Sequence, residues 1–114
     1  MPTANATKES AAVAVTNLGS WISVHTAAPG TTGANEATGG APAYARKQTA
    51  WTPGASDGVV TGSEVTIDVP AGSYSGFGVW DAATGGNYIG GDTFTTATLN
   101  TQGQIKITPT YTQS

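Results

Sequence analysis

The 114-residue chain contains no cysteine, which removes both a disulfide framework and a thiolate metal site. Charge is nearly as scarce. Four Lys or Arg and seven Asp or Glu make up 10% of the residues, against about 25% in an average domain. The net charge of −3 supplies no basic face, so the electrostatic footprint of a nucleic-acid-binding protein is missing. No run of about 18 apolar residues occurs, so no segment reads as a membrane-spanning helix. The first residues show no basic region followed by an apolar block, and a secretory signal is not expected there.

In place of charge there are twenty Thr and sixteen Gly. Thr is a β-former that also suits a wet surface, and Gly marks turns. A surface of neutral hydroxyls and methyls suits packing against other protein subunits. The length predicts one domain over residues 1–114, with an arm at 1–6, a helix at 7–18 and a β region at 21–114. Ala11, Val15 and Leu18 fall at helical spacing, Thr7 or Asn5 is placed to cap the start, and Gly19 is placed to stop the helix.

Strands are expected at Trp21 to Thr26, Tyr44 to Thr52, Phe77 to Asp81, Asn87 to Gly90, Asp92 to Ala97 and Gln104 to Tyr111. The clearest half-buried strand has Val65, Ile67 and Val69 alternating with Glu64, Thr66 and Asp68. Pro70 and Gly72 are expected to close it. Six or seven short strands with regular turns predict a mostly β fold, a compact antiparallel sandwich or jelly-roll-like barrel with one short N-terminal helix.

Chemistry-bearing residues are few. His25 is the only histidine, and no serine lies in a nucleophile-elbow context, so it reads as bonded to loop backbone. The carboxylates are scattered without the ligand run of a calcium loop. Asp81 and Asp92 flank a hairpin and read as turn caps. The aromatics, Trp21, Trp51 and Trp80 among them, read as core, with sugar stacking as the alternative. No enzyme activity, cofactor or metal is therefore expected.

Two features remain. Residues 27–42 form a long neutral loop whose one charge is Glu36, facing Arg46 where the strand returns. The pairing expected is a bidentate clamp that orders the loop, with His25 at its base. The stretch from Trp80 and Asp81 to Gly85 and Gly86 is expected to turn back as a hairpin with Gly85 or Gly86 at positive φ.

WISVHTAAPGTTGANEATGG, AYAR and FGVWDAATGGNYIGG together resemble a family of small phage virion proteins described as tail-fibre, minor capsid or decoration proteins. The matching positions are His25 to Gly30, Gly33 to Glu36, Tyr44 to Arg46 and Trp80 to Gly86. Ala28 stands where members often carry Asp. The resemblance implies a structural role on the virion. The first reading is a capsid decoration or minor capsid protein on the outside of the head, with the major capsid protein as partner. Self-association as a trimer or other cluster at a symmetry axis goes with it, and neither nucleic acid nor membrane is expected as a partner. The alternatives are a tail or tail-fibre component and a carbohydrate-binding module.

Overall fold

A computed structural model describes residues 4–55 and 57–113. The elements in chain order are α1 (Asn5–Thr16), β1 (Trp21–His25), β2 (Lys47–Gln48), β3 (Trp51–Pro53), β4 (Val59–Gly62), β5 (Val65–Val69), β6 (Gly72–Trp80), β7 (Tyr88–Leu99), β8 (Gly103–Ile107) and β9 (Thr110–Thr112). Every strand pairing is antiparallel, and the architecture is the mostly β, sandwich-like one that the alternating pattern predicts.

One layer is the sheet β2-β1-β6-β7. The other is a kinked ribbon. β4 pairs with β9 and β5 with β8, and the two pairs are joined end to end, because β5 follows β4 and β9 follows β8 directly in the chain. The kink sits at Ser63 and Glu64, opposite Thr108 and Pro109, where proline offers no amide to the ladder. Gly62 N still donates to Pro109 O at 2.8 Å, so the ribbon bends without parting.

The core lies between the layers. Ile22 and Val24 from β1 meet Val65, Ile67 and Val69 from β5, and Ile105 and Ile107 from β8. Ile22, Val24, Ile67 and Val69 have no exposed surface. Each such side chain contributes roughly 1.5–3 kcal/mol through its removal from water. β1 is buried on both faces. Ile22 and Val24 belong to the core cluster, whereas Ser23 and His25 alternate onto the opposite face, where the chain from 26 to 46 covers them.

Several sequence expectations need correction. The helix starts and stops two residues early, and its N-cap Ala4 makes no side-chain cap bond. Its inward residues are Ala12 and Thr16, while Leu18 lies beyond the C-cap Asn17 and is 60% exposed. Four alanines in its twelve residues blur the apolar stripe, so the contact is set elsewhere. Glu9 accepts from Gly58 N at 3.1 Å, fixing the helix over β4. Of the arm placed at 1–6, residues 1–3 lie outside the described residues, and Asn5 and Ala6 are helical.

The strand expected from Tyr44 to Thr52 is two short ones, β2 and β3, with Tyr44 and Arg46 in the loop before them. Gly72 opens β6 instead of closing β5. The two short strands expected around Asp92 are one, β7, because Gly90 and Gly91 stay in register opposite Val79 and Gly78. The last strand divides at Pro109 into β8 and β9, which gives nine strands where six or seven were expected.

Candidate functional site: an arginine joining loop and hairpin

β1 ends at His25, and the loop that follows returns along its edge. Thr26 N donates to Asn35 O and Ala37 N donates to Val24 O, both at 2.9 Å, and His25 and Glu36 form an antiparallel bridge. Asn35 turns the chain there with φ 67°, a left-handed conformation that Asn tolerates better than most residues. The loop's far side is held by Gln102, which accepts from Ala41 N and donates to Pro42 O, each at 3.2 Å. The loop is thus hydrogen-bonded near both ends, to β1 and to the turn between β7 and β8.

Arg46 is the hub. Its Nε donates to Glu36 Oε2 at 2.8 Å and its Nη2 to Glu36 Oε1 at 2.9 Å, a two-point fork. Its Nη1 donates to two backbone carbonyls of the hairpin turn, Ala82 O at 3.0 Å and Gly85 O at 2.8 Å. The guanidinium lies 3.8 Å from the centre of the Trp80 ring, a cation–π stack. Side-chain exposure is 7% for Arg46 and 22% for Glu36, so the pair is largely screened from water. Tyr44 donates to Glu36 Oε2 at 2.7 Å, and its oxygen accepts from Val24 N at 3.1 Å.

These contacts set the titration behaviour. Burial alone pushes Glu36 upward, but the hydrogen bonds from Arg46 and Tyr44 outweigh it and hold the carboxyl below the usual range. Burial raises Tyr44, and its bond to Glu36 adds to the rise, so the phenol stays protonated and donating.

Beneath the fork lies a second network. Ala34 O can only accept, so His25 Nδ1 carries a proton and donates to it at 2.6 Å. Burial lowers the His25 pKa, which keeps the ring neutral and leaves Nε2 as an acceptor for the Ser23 hydroxyl at 2.7 Å. Trp80 Nε1 donates to Ser23 Oγ at 2.9 Å. Ser23 and His25 both have zero exposure, so this hydroxyl–imidazole pair meets no solvent and positions the loop. Gly78 makes room for it, since a Cβ there would stand 2.6 Å from Ser23 Oγ and 2.9 Å from His25 Nε2.

The hairpin between β6 and β7 closes on the same hub. Gly85 and Gly86 have φ of 62° and 75°. Asp81 accepts from Asn87 N at 2.7 Å and from Asn87 Nδ2 at 2.9 Å, and these bonds hold its carboxyl low. Asp92 bonds its neighbour Thr93 N at 2.8 Å and takes no part in the turn. Tyr88, edge-on to Trp80 with ring centres 5.1 Å apart, donates to Gly30 O at 3.1 Å and ties the loop's start to β7.

The structure therefore brings Glu36, Arg46, His25 and Trp80 into one constellation, with the Asp81, Gly85 and Gly86 turn against it. Sequence reasoning missed Ser23, Tyr44 and Tyr88 as members, and missed that Arg46 serves loop and hairpin together. A signal existed. Ser23 and His25, like Tyr44 and Arg46, are polar residues two apart, the spacing that puts both on one side of an extended chain. No group of three His, Cys, Asp or Glu that could hold a metal exists among the described residues. The large aromatics among them are half-buried or buried, with none fully exposed.

Residues 3–113 match the family model described as Podophage GP4 fiber I protein gp80. No curated protein matches, and no solved structure matches.

Proposed function

The chain belongs to this podophage fibre family and is a phage structural protein, and from that premise we propose that it is a component of a tail fibre. The observation that carries the reading is the match across nearly the whole chain to a family whose description names a fibre. That description supports the tail alternative over capsid decoration, the first reading of the sequence, and the major capsid protein is no longer the partner of choice.

The site fits such a role. Its strongest polar groups face inward and act on the protein's own loops. Arg46 ties three chain segments together, at 36, at 46 and at 82–85. A module that must hold its shape under load while attached to its neighbours gains from loops fixed in this way. The large internal network thus serves rigidity, and attachment falls to the neutral outer surface.

The test is to separate heads from tails, then locate and count the protein in each fraction by quantitative mass spectrometry and by labelled-antibody electron microscopy. The expected result is protein on tail structures at a few copies per fibre. Many copies on isolated heads and none on tails would overturn the reading.

A further inference from the structure

Two thin covers meet over the Ser23–His25 pair. One is the loop, where Pro29 is the single buried residue between positions 26 and 36. The other is the turn at 81–87, where no residue is buried. Segments with so little buried surface open at the lowest free-energy cost in a fold. The core is different in kind, because Val65, Ile67 and Val69 of β5 and Ile105 and Ile107 of β8 are all buried.

A one-way relay joins the two covers. Trp80 Nε1 donates to Ser23 Oγ at 2.9 Å, Ser23 donates to His25 Nε2 at 2.7 Å, and His25 Nδ1 donates to Ala34 O at 2.6 Å. The relay runs from the base of the hairpin, through β1, into the loop. We propose that it is an acid-sensitive latch: a proton on His25 Nε2 turns the middle bond around, and the loop at 26–36 and the turn at 81–87 open together while the core stays closed. The inference does not rest on the fibre reading, since every part of the latch lies within one chain.

Three observations carry it. The first is hydrogen-bond polarity. With Nε2 protonated, imidazolium and indole both donate to Ser23 Oγ, and the serine's own proton loses its acceptor. Among the described residues the Ser23 hydroxyl makes these two bonds and no third. Ser23 has zero exposure, so solvent cannot take up that proton while the covers are closed.

The second is charge. The loop places Glu36, Arg46 and the Tyr44 phenol around His25, β7 adds the Tyr88 phenol, and β6 adds Gly78 and Trp80, which do not titrate. Glu36 is the one acid of this set, and Arg46 and Tyr44 already bond both of its oxygens. An imidazolium is thus a second cation beside Arg46, with no carboxylate of its own. The third is the coupling of the covers. A Cβ on Gly33 would stand 2.6 Å from the Trp80 ring and 2.9 Å from Tyr88, so the loop lies directly on these rings. Arg46 stacks on Trp80 and holds Ala82 O and Gly85 O, so a shift at Trp80 reaches the turn as well.

The experiment follows hydrogen exchange of backbone amides and the Trp80 indole in the full chain from pH 7.5 to pH 5, each rate divided by its intrinsic value. Stopping there leaves Glu36, held below 4.5, charged while the latch is closed. The closed site resists a proton that the open ring accepts at the ordinary value of 6.5. The open population is therefore expected to rise about fivefold from pH 6.5 to pH 5.5. The Thr26 amide, which donates to Asn35 O, and the Trp80 indole should report that rise together, with the amides of β5 and β8 unchanged. His25→Gln should remove the rise, and circular dichroism checks that this variant is folded. Imidazole ¹⁵N shifts of the wild type need no variant, and at pH 7.5 they should place the proton on Nδ1 and none on Nε2. Exchange that ignores pH overturns the proposal, as does a rise shared equally by β5 and β8. So does a Trp80 indole that stays protected while Thr26 opens, a rise that folded His25→Gln retains, or a proton on Nε2 at pH 7.5.

Discussion

Arg46 meets a carboxylate, two carbonyls and an indole face with one planar cation, and lysine cannot reproduce that geometry. Arg46→Lys is therefore expected to cost about 2–3 kcal/mol in urea unfolding, through buried acceptors left short of donors. A double-mutant cycle of Glu36→Gln with Arg46→Met should show a coupling above about 1 kcal/mol, and additive effects would mean that the two groups act separately. Acid reports on the same cluster. Burial holds His25 below the ordinary imidazole value of 6.5. The unfolded chain then takes up a proton that the folded chain refuses, so stability falls as pH drops below 6.5 and stops falling once the folded ring is protonated. Glu36 is held below 4.5, so its contribution is present above that pH and is lost on further acidification. Both effects have the same sign in adjoining windows. Thermal melts from pH 7.5 downward should show a first decline that His25→Gln abolishes and a second that Glu36→Gln abolishes. A wild-type melting temperature unchanged between pH 7 and pH 5 would contradict the His25 assignment, and one unchanged between pH 5 and pH 3 would contradict the Glu36 assignment.

At the scale of elements, the hairpin turn separates strain from crowding. Gly85 and Gly86 share the left-handed conformation, but a Cβ at Gly85 would meet nothing within 4 Å, whereas one at Gly86 would crowd Asp81 and Ala82. Gly85→Ala should cost only the backbone term, about 1 kcal/mol, and Gly86→Ala roughly 2–3 kcal/mol. Equal costs, read from chemical denaturation, would show that the Asp81 cap gives way easily. The same elements show where the sequence is legible. Strict alternation placed β5, because each of its apolar residues goes to one core. β1 was placed as a strand, but its double burial was not visible, since Ser23 and His25 are buried by an irregular loop that carries no periodic pattern and by Trp80 from 57 residues away. The helix face was misjudged because alanine fits a core or a surface equally well, and the partner glycine, Gly58, lies 49 residues from Glu9. The charges of the cluster were legible because charge is so rare in this chain. The aromatic and hydroxyl members were not, because Trp, Tyr and Ser occur elsewhere in it as ordinary packing residues.

For the whole molecule, the low charge decides how it is held on the particle. Of four Lys or Arg, Arg46 is consumed internally, which leaves Lys8, Lys47 and Lys106 as the positive side chains available to partners. Electrostatic steering needs clustered charge of one sign acting over roughly a Debye length, about 10 Å at 0.1 M salt. Three separated lysines on a chain of net charge −3 supply no such field. The proposed attachment to the particle would then fall to apolar surface and backbone hydrogen bonds, which salt weakens little. Purified particles moved from about 50 mM to about 1 M salt should retain the protein within roughly threefold, because a surface ion pair is worth at most about 1 kcal/mol. The readout is the protein-to-particle ratio after sedimentation through each buffer. A fall of an order of magnitude would mean that charge supplied by the partner carries the contact, and the neutral outer surface would then be incidental to assembly. Retention in molar salt combined with loss in moderate urea would place the contact among apolar and backbone interactions, because urea solvates both while salt screens neither.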